Sequence, residues 1–150
     1  MPSLSKPSPL GPITIVEEDG GITALEWGRN GDEETPLLVE AHFQLAAYFD
    51  HALVEFDVPL APKVSPSQRM FLDALIAIPF GETKTYGQIA KETGLSAQGA
   101  GQACGANPIA IIIPCHRVIG TGHLGGFSAP GGIETKVALL KHEGAASLLI

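Results

Sequence analysis

Cys115 and His116 stand side by side, directly behind the run Ile109-Ala110-Ile111-Ile112-Ile113-Pro114. Branched apolar residues at this density form a buried segment, which carries its end residues into the interior of a domain. A thiol delivered there beside an imidazole is either an inert core cysteine or an activated nucleophile. Buried unreactive cysteines are common. A free thiol ionises only near about pH 8.5, and apolar burial pushes that value up. Nucleophilic chemistry at Cys115 therefore requires a base. His116 is the nearest one in sequence. Neighbouring side chains on an extended chain point to opposite faces, however, which favours a water between thiol and imidazole over direct contact.

Other reactive side chains are ambiguous taken singly. Glu143, in His142-Glu143-Gly144, has the position of a solvated residue at a helix end. Tyr86, in Lys84-Thr85-Tyr86, reads as a half-buried aromatic anchoring a helix start. His42, His51, His123 and His142 have no cysteine or carboxylate at metal-ligand spacing, so no zinc site is expected. Cys104 and Cys115 are the only cysteines; they make no disulfide framework and are expected to be reduced thiols of a cytoplasmic protein.

The elements that must position these groups fall into two parts. Residues 1–11, rich in serine and proline, lack a charged start followed by an apolar core, which predicts a flexible leader and no signal peptide. Residues 12–61 read as a small α/β domain. Ile13 to Glu17 and Ile22 to Trp27 flank the hairpin signal Asp19-Gly20-Gly21. Thr35-Pro36 offers an N-cap and first-turn proline for a helix to about Tyr48. Val54, Phe56 and Val58 alternate with acids and predict a half-buried strand, after which Pro59, Pro62 and Pro66 mark a linker.

Residues 62–150 read as mainly helical. Ser65-Pro66-Ser67-Gln68 has capping-box form, and Phe71, Leu75 and Ile78 share one helix face. Helices over Thr85–Thr93 and Ser96–Ala106, joined through Gly94-Leu95, have helix-turn-helix proportions. Ile133, Val137 and Leu140 predict the face of a closing helix. The second of the paired helices is almost without bulk: Ala97, Gly99, Ala100, Gly101, Ala103 and Cys104. Each glycine costs a helix about 1 kcal/mol, so the composition needs a reason. Tight helix packing is one; entry into a minor groove only about 6 Å wide is the other.

At 150 residues, 45% hydrophobic and 17% charged, the chain is long enough to bury a core and is not disordered in composition. The longest unbroken apolar run is far too short to span a membrane. The net charge of −7 is unhelpful to a nucleic-acid binder, but it is unevenly spread. Up to residue 61 there are 11 acids against Lys6 and Arg29; from 62 onward there are 5 acids against 7 bases. Any phosphate-bearing partner belongs to the second part.

Pro114-Cys115-His116-Arg117-Val118, with Asn107-Pro108 upstream, resembles the active-site signature of the O6-alkylguanine-DNA alkyltransferases, a long and specific pattern. The resemblance covers residues 62–144 strongly and the amino-terminal part in length and pattern. It implies a ribonuclease H-like α/β domain followed by a helical, winged-helix-like domain that contains a helix-turn-helix. It further implies single-turnover repair without cofactor: Cys115 takes an alkyl group from O6 of guanine, or O4 of thymine, in double-stranded DNA. The DNA would be held through its minor groove with the lesion flipped out, by a protein acting as a monomer. Glu143 would orient His116, which deprotonates a water and then the thiol. Tyr86 would push the target phosphate and help neutralise the departing guanine. Asn107 would brace the active-site turn, and the Ser128 amide would approach O6. Ser67, Gly87, Val118 and Thr121 would contact DNA or substrate.

Three departures accompany the likeness. Gln98 stands where the family usually has an arginine that fills the space left by the flipped base. The turn between the paired helices is short, and Phe127 replaces a tyrosine before the apparent insertion Ala129-Pro130. These bear on binding strength and substrate range more than on chemistry. Two other functions compete. A non-catalytic lesion-binding relative would typically lack the cysteine, and a Cys–His hydrolase would regenerate its thiol and need an oxyanion loop beside Cys115.

Overall fold

The computed structural model describes residues 1–127 and 129–145. The chain divides into two compact units, Met1–Lys63 and the part from Val64 onward.

The first unit is an antiparallel sheet in the order β1-β2-β3 (Ser3–Lys6, Ile13–Glu18, Gly21–Trp27) with helix α1 (Pro36–Phe49) packed on it. The β2–β3 turn places Asp19 and Gly20 at φ 52° and 80°, both left-handed, so the hairpin closes in the tight form whose twist matches its strands. Ile13, Ile15, Ile22, Leu38, Leu45 and Tyr48 form its core. Thr35 caps α1 by accepting from the Leu38 N–H at 3.1 Å.

Three expectations for this unit need correction. Residues 3–6 are not a leader but an edge strand. Leu4 is buried, its carbonyl pairs with His42 Nε2 at 2.7 Å, and Ser5 Oγ lies 2.6 Å from Thr14 Oγ1. Leu4 is the only large apolar residue of that strand, too little for a periodic signal. Residues 54–58 form no strand, and Val54 is exposed. Their alternation is met by side-chain bonding instead: the Gln44 amide bonds both the N–H and the carbonyl of Asp57. Pro59 to Ala61, expected as linker, pairs with β3 through Ile22.

The second unit orders α2 (Pro66–Ile76), β4 (Lys84–Thr85), α3 (Tyr86–Thr93), α4 (Ala97–Gly105), a 3-10 turn (Cys115–Arg117), β5 (Val118–Ile119) and α5 (Ile133–His142). Helices α3 and α4 form the helix-turn-helix. Thr85 and Gln88 make the reciprocal capping box of α3, Gly94 closes it at φ 76°, and Ser96 caps α4. At α2 the box is half formed: Ser65 accepts from the Gln68 N–H, while the Gln68 side chain reaches across to the Ala103 carbonyl and pins α4. Strands β4 and β5 are parallel, with Lys84 opposite Val118 and Thr85 opposite Ile119. That short pairing ties the start of α3, hence Tyr86, to the chain leaving Cys115.

The buried face of α5 differs from the expected one. Lys136, Leu139, Leu140 and Glu143 are buried, at i, i+3, i+4 and i+7, while Ile133 is 48% exposed. The helix turns two charged residues inward because both have partners there. No helix among the described residues is long and apolar enough to cross a membrane.

Candidate active site

The apolar run reaches the site through tight turns, not as a strand. Ile109 to Ile113 are all buried. Ile111 has φ 72°, and the Ile112 N–H bonds the Ala110 carbonyl two residues back at 2.9 Å, a γ-turn of the strained hand. A branched residue in this region costs about 1–3 kcal/mol, which the surrounding burial must offset. Pro114, at φ −82° and ψ 65°, makes a second such turn, of the favourable hand, with the Cys115 N–H bonding the Ile113 carbonyl at 2.8 Å. Asn107 braces the loop from inside: Nδ2 donates to the Ile113 carbonyl at 2.8 Å, and Oδ1 accepts from the Ile109 N–H at 3.0 Å.

Cys115 and His116 lie in a 3-10 turn and not on the extended backbone expected, so their side chains diverge by about 120°. His116 is fully buried, and its Nε2 lies 2.7 Å from Glu143 Oε2. Burial holds its imidazole below the ordinary value of 6.5, against the opposing hydrogen bond and charge of Glu143. The ring is therefore neutral near pH 7. A carboxylate can only accept, so Nε2 carries the proton and Nδ1 keeps its lone pair. Nδ1 is buried and has no hydrogen-bond partner among the described residues. This is the arrangement of a base held ready in one tautomer.

Glu143 is more than a partner for histidine. Arg117 Nε donates to Oε1 at 2.8 Å and its Nη2 to Oε2 at 3.0 Å, while Nη1 donates to the Ile78 carbonyl at 2.6 Å. The forked pair fixes the carboxylate plane and keeps its charge inside the protein.

Cys115 opens onto a cavity of about 730 Å³ whose lining includes Tyr86, Gln98, Cys104, Asn107, Thr121 and Phe127. Burial raises the Cys115 thiol above its ordinary value; the Asn107 side chain and the charge of Lys136 pull the other way. Lys136 is wholly buried. Its Nζ donates to the Val118 carbonyl at 2.6 Å and the Gly126 carbonyl at 3.2 Å, and lies 3.5 Å from the Tyr86 hydroxyl. Burial lowers its own pKa, and the two nearby sulfurs oppose that. Tyr86 is raised by burial first and then by those sulfurs, so its hydroxyl keeps its proton at neutral pH. Gly125 lies against Tyr86 so closely that a Cβ there would come within 2.5 Å of the hydroxyl.

Of the residues singled out from sequence, Cys115, Tyr86, Gly87, Gln98, Asn107 and Thr121 line this cavity; His116 and Glu143, buried and paired with each other, are not among its lining residues. Val118 is buried and contributes its carbonyl to Lys136. Ser67 sits exposed in the first turn of α2 and does not line the cavity. Ser128 lies outside the described residues. No individual role was assigned from sequence to Arg117, Lys136 or Cys104, although Arg117 stands inside the Pro114–Val118 signature, Cys104 lies in the small-residue helix, and Lys136 and Glu143 are seven apart on one helix face. Among the described residues no group of three or more His, Cys, Asp or Glu could hold a metal.

Family models decide the affiliation. One described as "6-O-methylguanine DNA methyltransferase, DNA binding domain" matches residues 66–145, and its ribonuclease-like companion matches residues 5–62. The chain belongs to the 6-O-methylguanine DNA methyltransferase family. Within it, the chain is 41% identical to the methylated-DNA–protein-cysteine methyltransferase of Methanosarcina acetivorans, over 92% of this chain and 95% of that protein. Identity to the protein of the same name from Mycolicibacterium paratuberculosis is 43%, over 91% and 88%. Among solved structures, the Mycobacterium tuberculosis OGT in complex with DNA superposes with a TM-score of 0.87 at 39% identity, covering 97% of this chain and 94% of that one. The sheet with α1 is thus this family's ribonuclease-like domain, and the helix-turn-helix with the thiol lies in its DNA-binding domain.

Proposed function

We propose that this chain repairs alkylated DNA by moving an alkyl group from O6 of guanine onto Cys115, once per molecule. The curated relatives are named as methylated-DNA–protein-cysteine methyltransferases, which supplies the reaction class. The observation that carries the residue assignment is the buried Glu143–His116 pair beside a thiol that opens into a cavity. His116 Nδ1 draws the thiol proton through one water. The thiolate attacks the alkyl carbon, a sulfur–carbon bond forms, the carbon–O6 bond breaks, and its electron pair leaves on guanine. The protonated Tyr86 hydroxyl, backed by the Lys136 ammonium, neutralises that negative charge. A thioether does not hydrolyse, so the protein is consumed. The step as written balances without a metal or organic cofactor.

A thiol in a pocket cannot reach an alkyl carbon inside the duplex stack, so the target nucleotide has to be flipped out. Helix α4, with Ala97, Gly101, Cys104 and Gly105 on its cavity side, is thin enough for a minor groove. Gln98, exposed near its start, occupies the space the base leaves. Incubation with duplex DNA holding one O6-methylguanine should add a single methyl to the Cys115 peptide, seen by mass spectrometry, with no second equivalent repaired. Methyl on Cys104, or repeated turnover, would overturn the assignment.

Gln98 gives a further prediction. An arginine there would add stacking and a positive charge to a protein carrying −7. Gln98→Arg should tighten binding to lesion DNA and steepen its salt dependence by up to roughly one phosphate's share of slope. Alkylation by free benzylated guanine should keep its rate, because no base is displaced. Equal changes in both rates would place Gln98 away from the vacated stack.

A further inference from the structure

Cys104 is unused by this chemistry, yet it lines the same cavity as the acceptor thiol. Ala97, Gly101, Cys104 and Gly105 lie at helical spacing along the cavity side of α4, which fixes the direction in which the second thiol faces. The link to Cys115 is short. The Asn107 N–H bonds the Cys104 carbonyl at 3.2 Å, and the Asn107 side chain bonds the Ile113 carbonyl, two residues before Cys115. The buried Lys136 ammonium is within electrostatic reach of both sulfurs. These two are the only cysteines in the chain.

We propose that Cys104 is a resolving thiol for Cys115, so that peroxide converts the pair into a reversible intramolecular disulfide that parks the acceptor without consuming it. The inference rests on the reading of Cys115 as the activated thiol. The Cys115 thiolate attacks one peroxide oxygen and becomes a sulfenic acid, and the other oxygen leaves as water after taking a proton. Cys104 sulfur then displaces the sulfenic oxygen, which leaves as a second water, and one S–S bond forms. Two thiols have lost two electrons and two protons to one peroxide. Closure needs the two Cα atoms within about 7 Å, and the residues around Cys104 at the end of α4 (Ala103, Gly105, Ala106) have small side chains. Burial, then the charge of the Cys115 thiolate, pushes the Cys104 thiol up to about 12, so it does not compete for the alkyl group. Conversion of Cys115 to a neutral sulfenic acid removes the second cause, which frees Cys104 to act as the resolving sulfur. A protein that acts once gains from such a switch, because further oxidation of its single acceptor to sulfinic acid is irreversible.

The test compares wild type with Cys104→Ser, each normalised to its own starting repair titre. After hydrogen peroxide, non-reducing peptide mapping of wild type should join the Cys104 and Cys115 peptides with loss of two hydrogens. Repair titre should vanish and return almost fully with dithiothreitol. In Cys104→Ser, Cys115 should advance to sulfinic acid and the titre should stay lost. Equal recovery in both proteins, or linkage only between molecules at high concentration, would overturn the proposal. Methylation of the untreated proteins separates the two readings. Failure of Cys115 to take the methyl group rejects it as acceptor, whereas a missing disulfide with normal methylation rejects only the switch.

Discussion

Cys115→Ala is expected to abolish alkyl transfer completely while leaving binding to lesion-bearing DNA measurable. The sulfur is the only atom of this side chain that does chemistry. The cavity walls, formed by α3, α4 and the loop from Gly120 to Phe127, do not depend on it. Cys115 is 8% exposed, so removing its sulfur leaves a small gap open to the cavity, a loss on the order of 1 kcal/mol. The melting temperature should therefore change little, and gel-shift affinity should fall far less than transfer. Residual transfer in this variant, carried by Cys104, would show that the acceptor is the other thiol. A matched loss of binding would mean that the sulfur has a structural part in holding the lesion.

Glu143→Gln should lower stability strongly, because it breaks a buried ion pair. The carboxylate accepts two hydrogen bonds from Arg117 and one contact from His116, with no exposed side-chain surface on either Glu143 or His116. Glutamine keeps the shape but offers one acceptor oxygen, turns an N–H group toward the guanidinium and leaves that charge uncompensated. Breaking one half of a buried pair costs about 3–5 kcal/mol. In a unit of this size the melting temperature should drop by more than about 10 °C. The double variant Glu143→Gln/Arg117→Met should recover part of that loss, since it removes the stranded charge. Additive losses would show that the two side chains are not coupled.

The same substitution should also weaken the base. Glu143 raises the His116 pKa against burial, so its loss leaves a poorer proton acceptor, and the pH at which Cys115 becomes reactive should rise. Below pH 7 the sign is different. His116 and His42 both titrate below 6.5 in the folded protein, because burial disfavours their charged forms. The unfolded chain then binds more protons than the native one, so stability is full above about pH 6.5 and declines as pH falls through the lowered native values. Urea titrations from pH 7 to 5 read the stability effect, and the pH profile of Cys115 reactivity toward a small electrophile reads the other, with Glu143→Gln and wild type side by side. Identical thiol reactivity of the two proteins toward a small electrophile would rule out the relay.

The sequence itself determined the reaction-bearing segment and the helix-turn-helix, because both are local. Pro114-Cys115-His116-Arg117-Val118 is contiguous, and the caps at Thr85, Gly94 and Ser96 act within one helical turn of the bonds they satisfy. The β2–β3 hairpin was legible for the same reason, since two left-handed residues define it. Elements resting on distant partners were not legible. Strand β1 exists because Leu4 and Ser5 find His42 and Thr14, and the expected strand at 54–58 fails because Gln44 takes the main chain of Asp57. In the site, the sequence named Cys115, His116 and Glu143 but placed the first two on extended backbone. Only the tertiary structure turned the face of α5 that carries Lys136 and Glu143 inward, set Arg117 against that carboxylate and brought Cys104 to the wall facing the cavity. Each of those outcomes depends on a charge or a thiol meeting a group that lies far away along the chain. Whether a buried charge is tolerable is settled by its partner, and the partner is fixed only when the elements pack.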